Sequence, residues 1–328
     1  MARLRLLVTG GAGFIGSTLV RILLRERPQA EIVNLDLLTY AGNLSNLEGV
    51  EGDPRHTFVQ GDICDGALVQ ELLEGVDAVL NLAAESHVDR SIQRPAPFVQ
   101  TNIVGTGVLL DAAWAAGVSR FVQVSTDEVY GDLPWVDPEA ADPHRSSFSE
   151  STPLQPRSPY SASKAAGDLL VLSYHTTYGM DVVIPRGSNN YGPHQHHEKL
   201  IPLMATRAME GEALPVYGDG LHVRDWMFVE DFCSGILAAL EKGKSGEIYN
   251  FGGNTERTNL QVVRAILRAL GAPEDLITFV PDRPGHDRRY AMDCSKARRE
   301  LGWEARADFE GELVRTVEWY RKHAGTQT

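Results

Sequence analysis

The chain has 328 residues, 43% of them hydrophobic, and a formal net charge of −13. That size and apolar content suit a globular protein of one large or two unequal domains, and the acidity argues against a general nucleic-acid binder. Cys64, Cys233 and Cys294 lie far apart without a CxxC pair, which argues against a disulfide framework or a structural zinc site; no apolar run is long enough to span a membrane, and MARLRLLVTGG does not read as a signal peptide.

In chain order, Leu4–Thr9 is a predicted strand, and Phe14–Arg27 has apolar residues at helical spacing. Glu31–Asp36 and Thr57–Gln60 read as strands, Ala67–Glu74 as a helix and Ala78–Leu82 as a strand. Pro97–Ala116 predicts a long helix, Arg120–Val124 a strand, Ser161–Tyr178 a helix and Val182–Pro185 a strand. This rhythm predicts an α/β fold, a doubly wound parallel sheet covered by helices. Residues 132–157, rich in Pro and Ser, read as a surface loop. From about Ser188 the texture becomes irregular, and PVYGDGL at 215–221 looks like a hairpin turn. The expected division is 1–187 for a dinucleotide-binding domain and 188–328 mainly for a smaller C-terminal substrate-binding lobe, with a strand near 247–251 returning to the first.

TGGAGFIGS at 9–17 lies between the first strand and first helix. Gly10, Gly13 and Gly16 give the spacing that lets backbone approach a pyrophosphate at a helix N-terminus, the Rossmann-like arrangement. Asp36 follows Gly16 by twenty residues and ends the second strand. An acid there accepts from a ribose 2′-hydroxyl and repels a 2′-phosphate, so NAD is favoured over NADP.

SPYSASKAAGD at 158–168 offers Ser158 as an N-cap, Pro159 as first helical residue, and Tyr160 and Lys164 on one helix face. A nearby ammonium is expected to lower the phenol's pKa and make Tyr160 a base for an alcohol proton. VSTDEVYG at 124–131 sets Asp127 beside Glu128 where an apolar strand ends. Adjacent acids repel, and burial keeps one protonated near neutral pH. Neighbours in a regular strand point to opposite faces, so the strand must break near Asp127 for both to reach one substrate.

Together these stretches resemble the extended short-chain dehydrogenase/reductase family, in its nucleotide-sugar branch, and within it the dTDP-glucose 4,6-dehydratases. LAAESHVDRSI (82–92), TNIVGT (101–106), SNNYGP (188–193), EKLIP (198–202), VRDW (223–226) and DRPGHDRRYAMD (282–293) carry the resemblance with the motifs above. It implies an NAD-dependent lyase of deoxysugar biosynthesis, cytoplasmic and homodimeric, converting dTDP-glucose to a 4-keto-6-deoxy sugar. C4 is oxidised, water is eliminated across C5 and C6, and the hydride returns to C6. The implied roles are Tyr160 and Lys164 for C4 oxidation, Thr126 for holding the C4 oxygen, Glu128 as C5 base and Asp127 as C6 acid. Implied cofactor contacts are Gly10, Gly13, Phe14, Ile15, Gly16, Asp36, Leu37, Thr39, Asp62, Ile63, Leu82, Ala83, Ala84, Ser86, Thr101, Tyr160, Lys164 and Asn190. Implied substrate contacts are Ser86, Thr126, Asn189, Lys199, Leu200, Pro215, Tyr217, Arg224, Asn259, Arg283 and His286. The helices at 97–116 and 160–178 match a four-helix dimer interface, with Ala112, Ala113, Ala115 and Ala116 permitting close packing.

IPRGS (184–188) and HQHH (194–197) depart from the family pattern and bear on nucleobase preference. The histidines read as a solvent-facing loop, since no Cys or carboxylate cluster completes a ligand set; no metal is expected. His87 reads as structural, having no paired nucleophile. Arg288 and Arg289 are equally consistent with salt bridges and ligand contacts. The competing readings are a 4-epimerase, a uronate decarboxylase, a UDP-glucose 4,6-dehydratase or, in another class, a non-enzymatic NAD sensor. The adjacent acids favour dehydration, because an epimerase has no use for them and a decarboxylase would repel its own substrate.

Overall fold

The computed structural model describes residues 4–139 and 146–323; Met1–Arg3 of the quoted N-terminal stretch, residues 140–145 of the predicted surface loop and the tail from 324 lie outside the described residues. The first half alternates β1 (Leu4–Thr9), α1 (Phe14–Glu26), β2 (Ala30–Asp36), β3 (His56–Gln60), α2 (Gly66–Leu72), β4 (Ala78–Asn81), α3 (Val88–Gln93), α4 (Ala96–Val99), α5 (Thr106–Ala115), β5 (Arg120–Gln123), β6 (Ser125–Thr126), α6 (Pro159–Tyr178) and β7 (Val182–Gly187). There follow β8 (Asn189–Tyr191), α7 (Leu200–Glu210), β9 (Leu214–Tyr217), β10 (Val223–Phe228), α8 (Val229–Lys242), β11 (Glu247–Phe251), β12 (Glu256–Thr258), α9 (Asn259–Leu270), β13 (Ile277–Val280) and α10 (Phe309–Lys322).

The large sheet runs β3-β2-β1-β4-β5-β7-β11, every pair parallel, with β6 beside the end of β7. Side chains alternate between its faces, as strand geometry requires. Leu6 and Val8 pack with Leu19 and Leu23 of α1, whereas Leu7 joins Leu109 and Leu110 of α5 and Val171 of α6 in a second core. Both faces are therefore covered, and the expected doubly wound sheet is present. Strand order reverses between β1 and β4, which opens the crevice where such folds bind ligands. β11 sits in this sheet as the sequence suggested, paired with β7 from Val183 to Gly187.

Three expectations are corrected. The stretch 215–221 is not a hairpin: β9 pairs in parallel with β13, and the turn at Gly218 and Gly220 leads instead to β10, between β12 and β8. The helix predicted over 97–116 is interrupted by a π-helical turn at Gln100–Gly105. Such turns often mark functional sites; this one carries Thr101 and Asn102, and Asn102 bonds both backbone groups of Glu85 and the hydroxyl of Ser163. The stretch 132–157 is not wholly superficial either, because Phe148 is buried and stacks on Tyr130 at 5.0 Å.

Candidate active site

The glycine loop after β1 is a backbone cradle. Gly10 has φ +70°, and a Cβ there would lie 2.7 Å from the amide nitrogen of Ala83. A Cβ on Gly16 would lie 2.1 Å from the carbonyl of Gly10, so loop and helix close on each other only without side chains. Asp36 accepts from the amides of Ala12 (2.9 Å) and Leu38 (2.8 Å), which aims its carboxylate across the loop. These features fit the pyrophosphate and ribose of a dinucleotide. Gly16→Ala should overpack this turn, lowering stability by about 1–3 kcal/mol. Melting curves with and without NAD should show a lower midpoint and a smaller ligand-induced rise.

One cleft gathers the expected cofactor residues, from Gly10, Gly13, Phe14, Ile15 and Gly16 through Asp36, Leu37, Thr39, Asp62, Ile63, Leu82, Ala83, Ala84, Ser86 and Thr101 to Tyr160 and Asn190. Thr126, Asp127, Glu128, Asn189 and Lys199 line the same cleft. Lys164 does not line it. Its ammonium is buried and donates to the carbonyl of Val124 at 2.7 Å, at the end of the strand that leads to the acids.

The chain does break before the two acids. β6 ends at Thr126, and Asp127–Tyr130 forms a 3-10 turn whose cap is the Thr126 hydroxyl, accepting from the Glu128 amide at 3.3 Å. Gly131 closes the turn at φ +89°, where a Cβ would meet the Gln155 carbonyl at 2.3 Å. The turn brings neighbouring carboxylates to one side, and their surroundings differ. Asp127 is buried, its Oδ1 accepts from the Thr126 hydroxyl at 3.1 Å, and its Oδ2 has no hydrogen-bond partner among the described residues. Burial, reinforced by Glu128, pushes its pKa well above the ordinary value. Burial also raises Glu128, but Arg283, Lys199 and Arg224 oppose that rise. Burial thus favours the protonated form at both carboxyls, more strongly at Asp127, while three cations pull Glu128 back towards the ionised form.

A carboxyl whose pKa rises on folding binds more protons in the native state than in the unfolded one. Its contribution is fully present below the unfolded value, about 3.9, and is lost as pH rises towards the folded value. Asp127→Asn should therefore stabilise the protein at pH 8 relative to wild type and lose that advantage at pH 4. Melting temperatures at the two pH values check this.

The tyrosine reverses one expectation. Burial raises the Tyr160 phenol well above its ordinary pKa, and Glu128 and Asp127 raise it further; the Thr126 hydroxyl opposes them. Lys164 does not offset this, because burial lowers the lysine's own pKa and its ammonium is turned to Val124. Ser158 and Pro159 start α6 as expected, in a capping box with Ser161.

Leu200, Pro215, Tyr217, Arg224, Asn259, Arg283 and His286 lie outside the cleft lining. Arg224 is buried, donates to the carbonyls of Val223 and Asp287 at 2.8 Å, and lies over the Tyr290 ring. Arg283 and the Tyr217 hydroxyl each reach Asp89 at 3.4 Å. His286 bonds Asp282 at 2.6 Å and stacks on His222 at 3.7 Å. Among the described residues, His222, Asp282 and His286 are the group with metal-ligand potential. The near-parallel rings set one nitrogen against each oxygen of the same carboxylate, His222 at 3.1 Å. As placed, the two rings clamp that carboxylate between them.

HQHH is not a solvent-facing loop. His194 packs on Trp319 at 4.6 Å, Gln195 is buried, and His196 lines the cleft with its ring edge-on to Tyr40 at 5.3 Å; His197 is the exposed member. Arg289 is a buried partner of Glu256 at 2.6 Å, and Arg288 an outer partner of Asp219 at 2.7 Å. Phe232 of α8 and Glu85 also line the cleft. Phe232 packs so closely on Gly187 that a Cβ there would lie 2.5 Å from the ring. No local motif marks Phe232.

A family model described as GDP-mannose 4,6 dehydratase matches residues 7–317. The chain belongs to that family. Within it, a dTDP-glucose 4,6-dehydratase of Actinoplanes sp. is 50% identical over 97% of this chain and 98% of its own. The crystal structure of a dTDP-glucose 4,6-dehydratase from Streptomyces venezuelae, with NAD bound, superposes with a TM-score of 0.94 at 51% identity, covering 98% of each chain. A UDP-glucose 4-epimerase from Thermotoga maritima is more distant, at 31% identity and a TM-score of 0.87 over 97% of this chain and 99% of its own. The family resemblance carried by the motifs is therefore borne out.

Proposed function

We infer that the chain is an NAD-dependent lyase, a dTDP-glucose 4,6-dehydratase that forms dTDP-4-keto-6-deoxyglucose and water. The observation that carries this reading is the turn that sets the buried Asp127 and a cation-flanked Glu128 on the same cleft as Tyr160. NAD held by the glycine cradle and Asp36 supplies the hydride acceptor for C4 and the donor for C6, so no reductant is consumed. Tyr160 Oη takes the proton of the C4 hydroxyl as its phenolate, a form that the cationic nicotinamide of bound NAD would favour against burial and the two acids, and Thr126 holds that oxygen. The C4 ketone acidifies C5, Glu128 takes the C5 proton, and Asp127 gives its proton to the C6 hydroxyl, which leaves as water; as the hydride returns to C6, Glu128 gives the proton back to C5, and the proton taken from the C4 hydroxyl makes good the one Asp127 lost. Lys199, Arg224 and Arg283 supply positive charge near Glu128 for an anionic nucleotide sugar. In this division of labour, residues 1–187 with β11 hold the dinucleotide, and 188–328 hold most of the sugar nucleotide. A 4-epimerase would share Tyr160 but leave Asp127 and Glu128 without a task.

The test is incubation with dTDP-glucose and catalytic NAD, with UDP-glucose in parallel. Loss of one water without net NADH supports the reading and ranks the nucleotides. Turnover without mass loss makes the chain an epimerase. A cytoplasmic site of action is proposed from the substrate's chemistry and from three free cysteines; no helix among the described residues is long and apolar enough to cross a membrane.

We further propose a homodimer through the helices at 97–116 and 160–178. Trp114 and Tyr178, in ring contact at 5.0 Å, are about half exposed (52% and 50%), as is Leu169 elsewhere on α6 (57%), apolar surface that a second copy would cover. Ala113 is not part of that face, being wholly buried in the core, whereas Ala115 and Ala116 are exposed. Trp114→Glu should convert the dimer to a monomer in sedimentation.

A further inference from the structure

IPRGS runs along the end of β7, beneath the reacting turn, and its arginine is wholly internal. The Arg186 side chain is 1% exposed and that of Asp168 on α6 0%, with Nη2 and Nε each 2.9 Å from Asp168 Oδ2. The Ser125 hydroxyl donates to the same oxygen at 2.9 Å. The guanidinium also lies over the Tyr130 ring, 4.8 Å from its centre. These contacts span the whole reacting assembly. Asp168 stands one helical turn beyond Lys164 and two beyond Tyr160. Ser125 immediately precedes Thr126, and Tyr130 ends the turn that carries Asp127 and Glu128.

Stability alone is a weak reason for such a pair, since apolar residues of similar volume are often as good or better in a core. Two guanidinium nitrogens and a hydroxyl converging on one carboxylate oxygen do fix direction and distance in a way apolar packing does not.

We propose that Arg186 and Asp168 are positioning residues, a buried couple that locks the Tyr160–Lys164 helix against the Thr126–Glu128 turn at the separation the reaction needs. Neither residue lines the cleft, so each acts through its neighbours. The proposal rests on the dehydratase reading above.

Asp168→Asn alone strands a buried guanidinium and can simply unfold the chain. The test is therefore the double variant Asp168→Asn with Arg186→Met, which removes both charges together, compared with Arg186→Lys. Each is assayed with dTDP-glucose after its melting curve and NAD affinity have been measured. The expected double variant folds, binds NAD as wild type does and keeps its KM, while kcat falls about 100-fold, the scale set by a misplacement of roughly 1 Å. Arg186→Lys should recover part of that loss, because an ammonium restores the charge without the fork. A double variant with wild-type kcat overturns the proposal, whatever its melting temperature. A wild-type chain that fails to dehydrate the sugar overturns the functional reading and this proposal together.

Discussion

Glu128→Gln will leave the chain able to oxidise the sugar at C4 and unable to complete the reaction. An amide cannot accept the C5 proton, and removing a positioned general base costs about 10²–10⁴-fold in the step it serves. Tyr160, Thr126 and the dinucleotide cradle remain, so the first hydride transfer proceeds. On mixing with dTDP-glucose, reduced-nicotinamide absorbance should rise towards one equivalent per site and persist, while the product of mass lower by one water is nearly absent. The surroundings of Glu128 support that assignment. Lys199, Arg224 and Arg283 favour its ionised form, whereas burial and Glu128 favour the protonated form of Asp127. Wild-type turnover in Glu128→Gln would mean that another group takes the C5 proton.

Tyr160→Phe should fail earlier. The ring is buried and packs edge-on against Phe98 at 6.3 Å, so phenylalanine fills the same space and only Oη is lost. C4 oxidation should slow by about 10²–10⁴-fold, with no accumulation of reduced nicotinamide. Nucleotide-sugar affinity should stay close to wild type. The two variants thus divide the reaction, one stopping before hydride transfer and the other after it. A Tyr160→Phe protein that still reduced NAD rapidly would hand the C4 proton to some other base.

Much of this was legible from short-range patterns. Glycines that cannot tolerate a Cβ, an acid ending β2, and a Ser-Pro start before Tyr160 each have local causes, and each folded as the sequence implied. The break after Thr126 was legible too, because two acids cannot both face one substrate from a regular strand. What escaped was set by long-range packing. The Tyr160 pKa depends on two acids more than thirty residues away in sequence and on burial, and those outweigh a lysine one turn along the helix. HQHH read as solvated because charge and polarity were judged locally, while Trp319 and Tyr40, which cover it, come from opposite ends of the chain. β9 looked like half of a hairpin because its glycine turn is real; its partner, β13, comes from a parallel segment beyond α9 that no turn signal announces.

The late arrival of β11 in the large sheet bears on how the molecule is made. β7 pairs on one side with β5 and on the other with a strand that lies beyond α7, β9, β10 and α8. Ribosomes add about 5–20 residues per second, so a nascent chain would hold Val182–Gly187 as an open edge for seconds before its partner emerges. Open edges invite pairing with other chains. Synthesis and folding are therefore out of step at this strand, and cutting the gene after residue 187 would not release a self-sufficient cofactor module. It would release a sheet with its last strand missing.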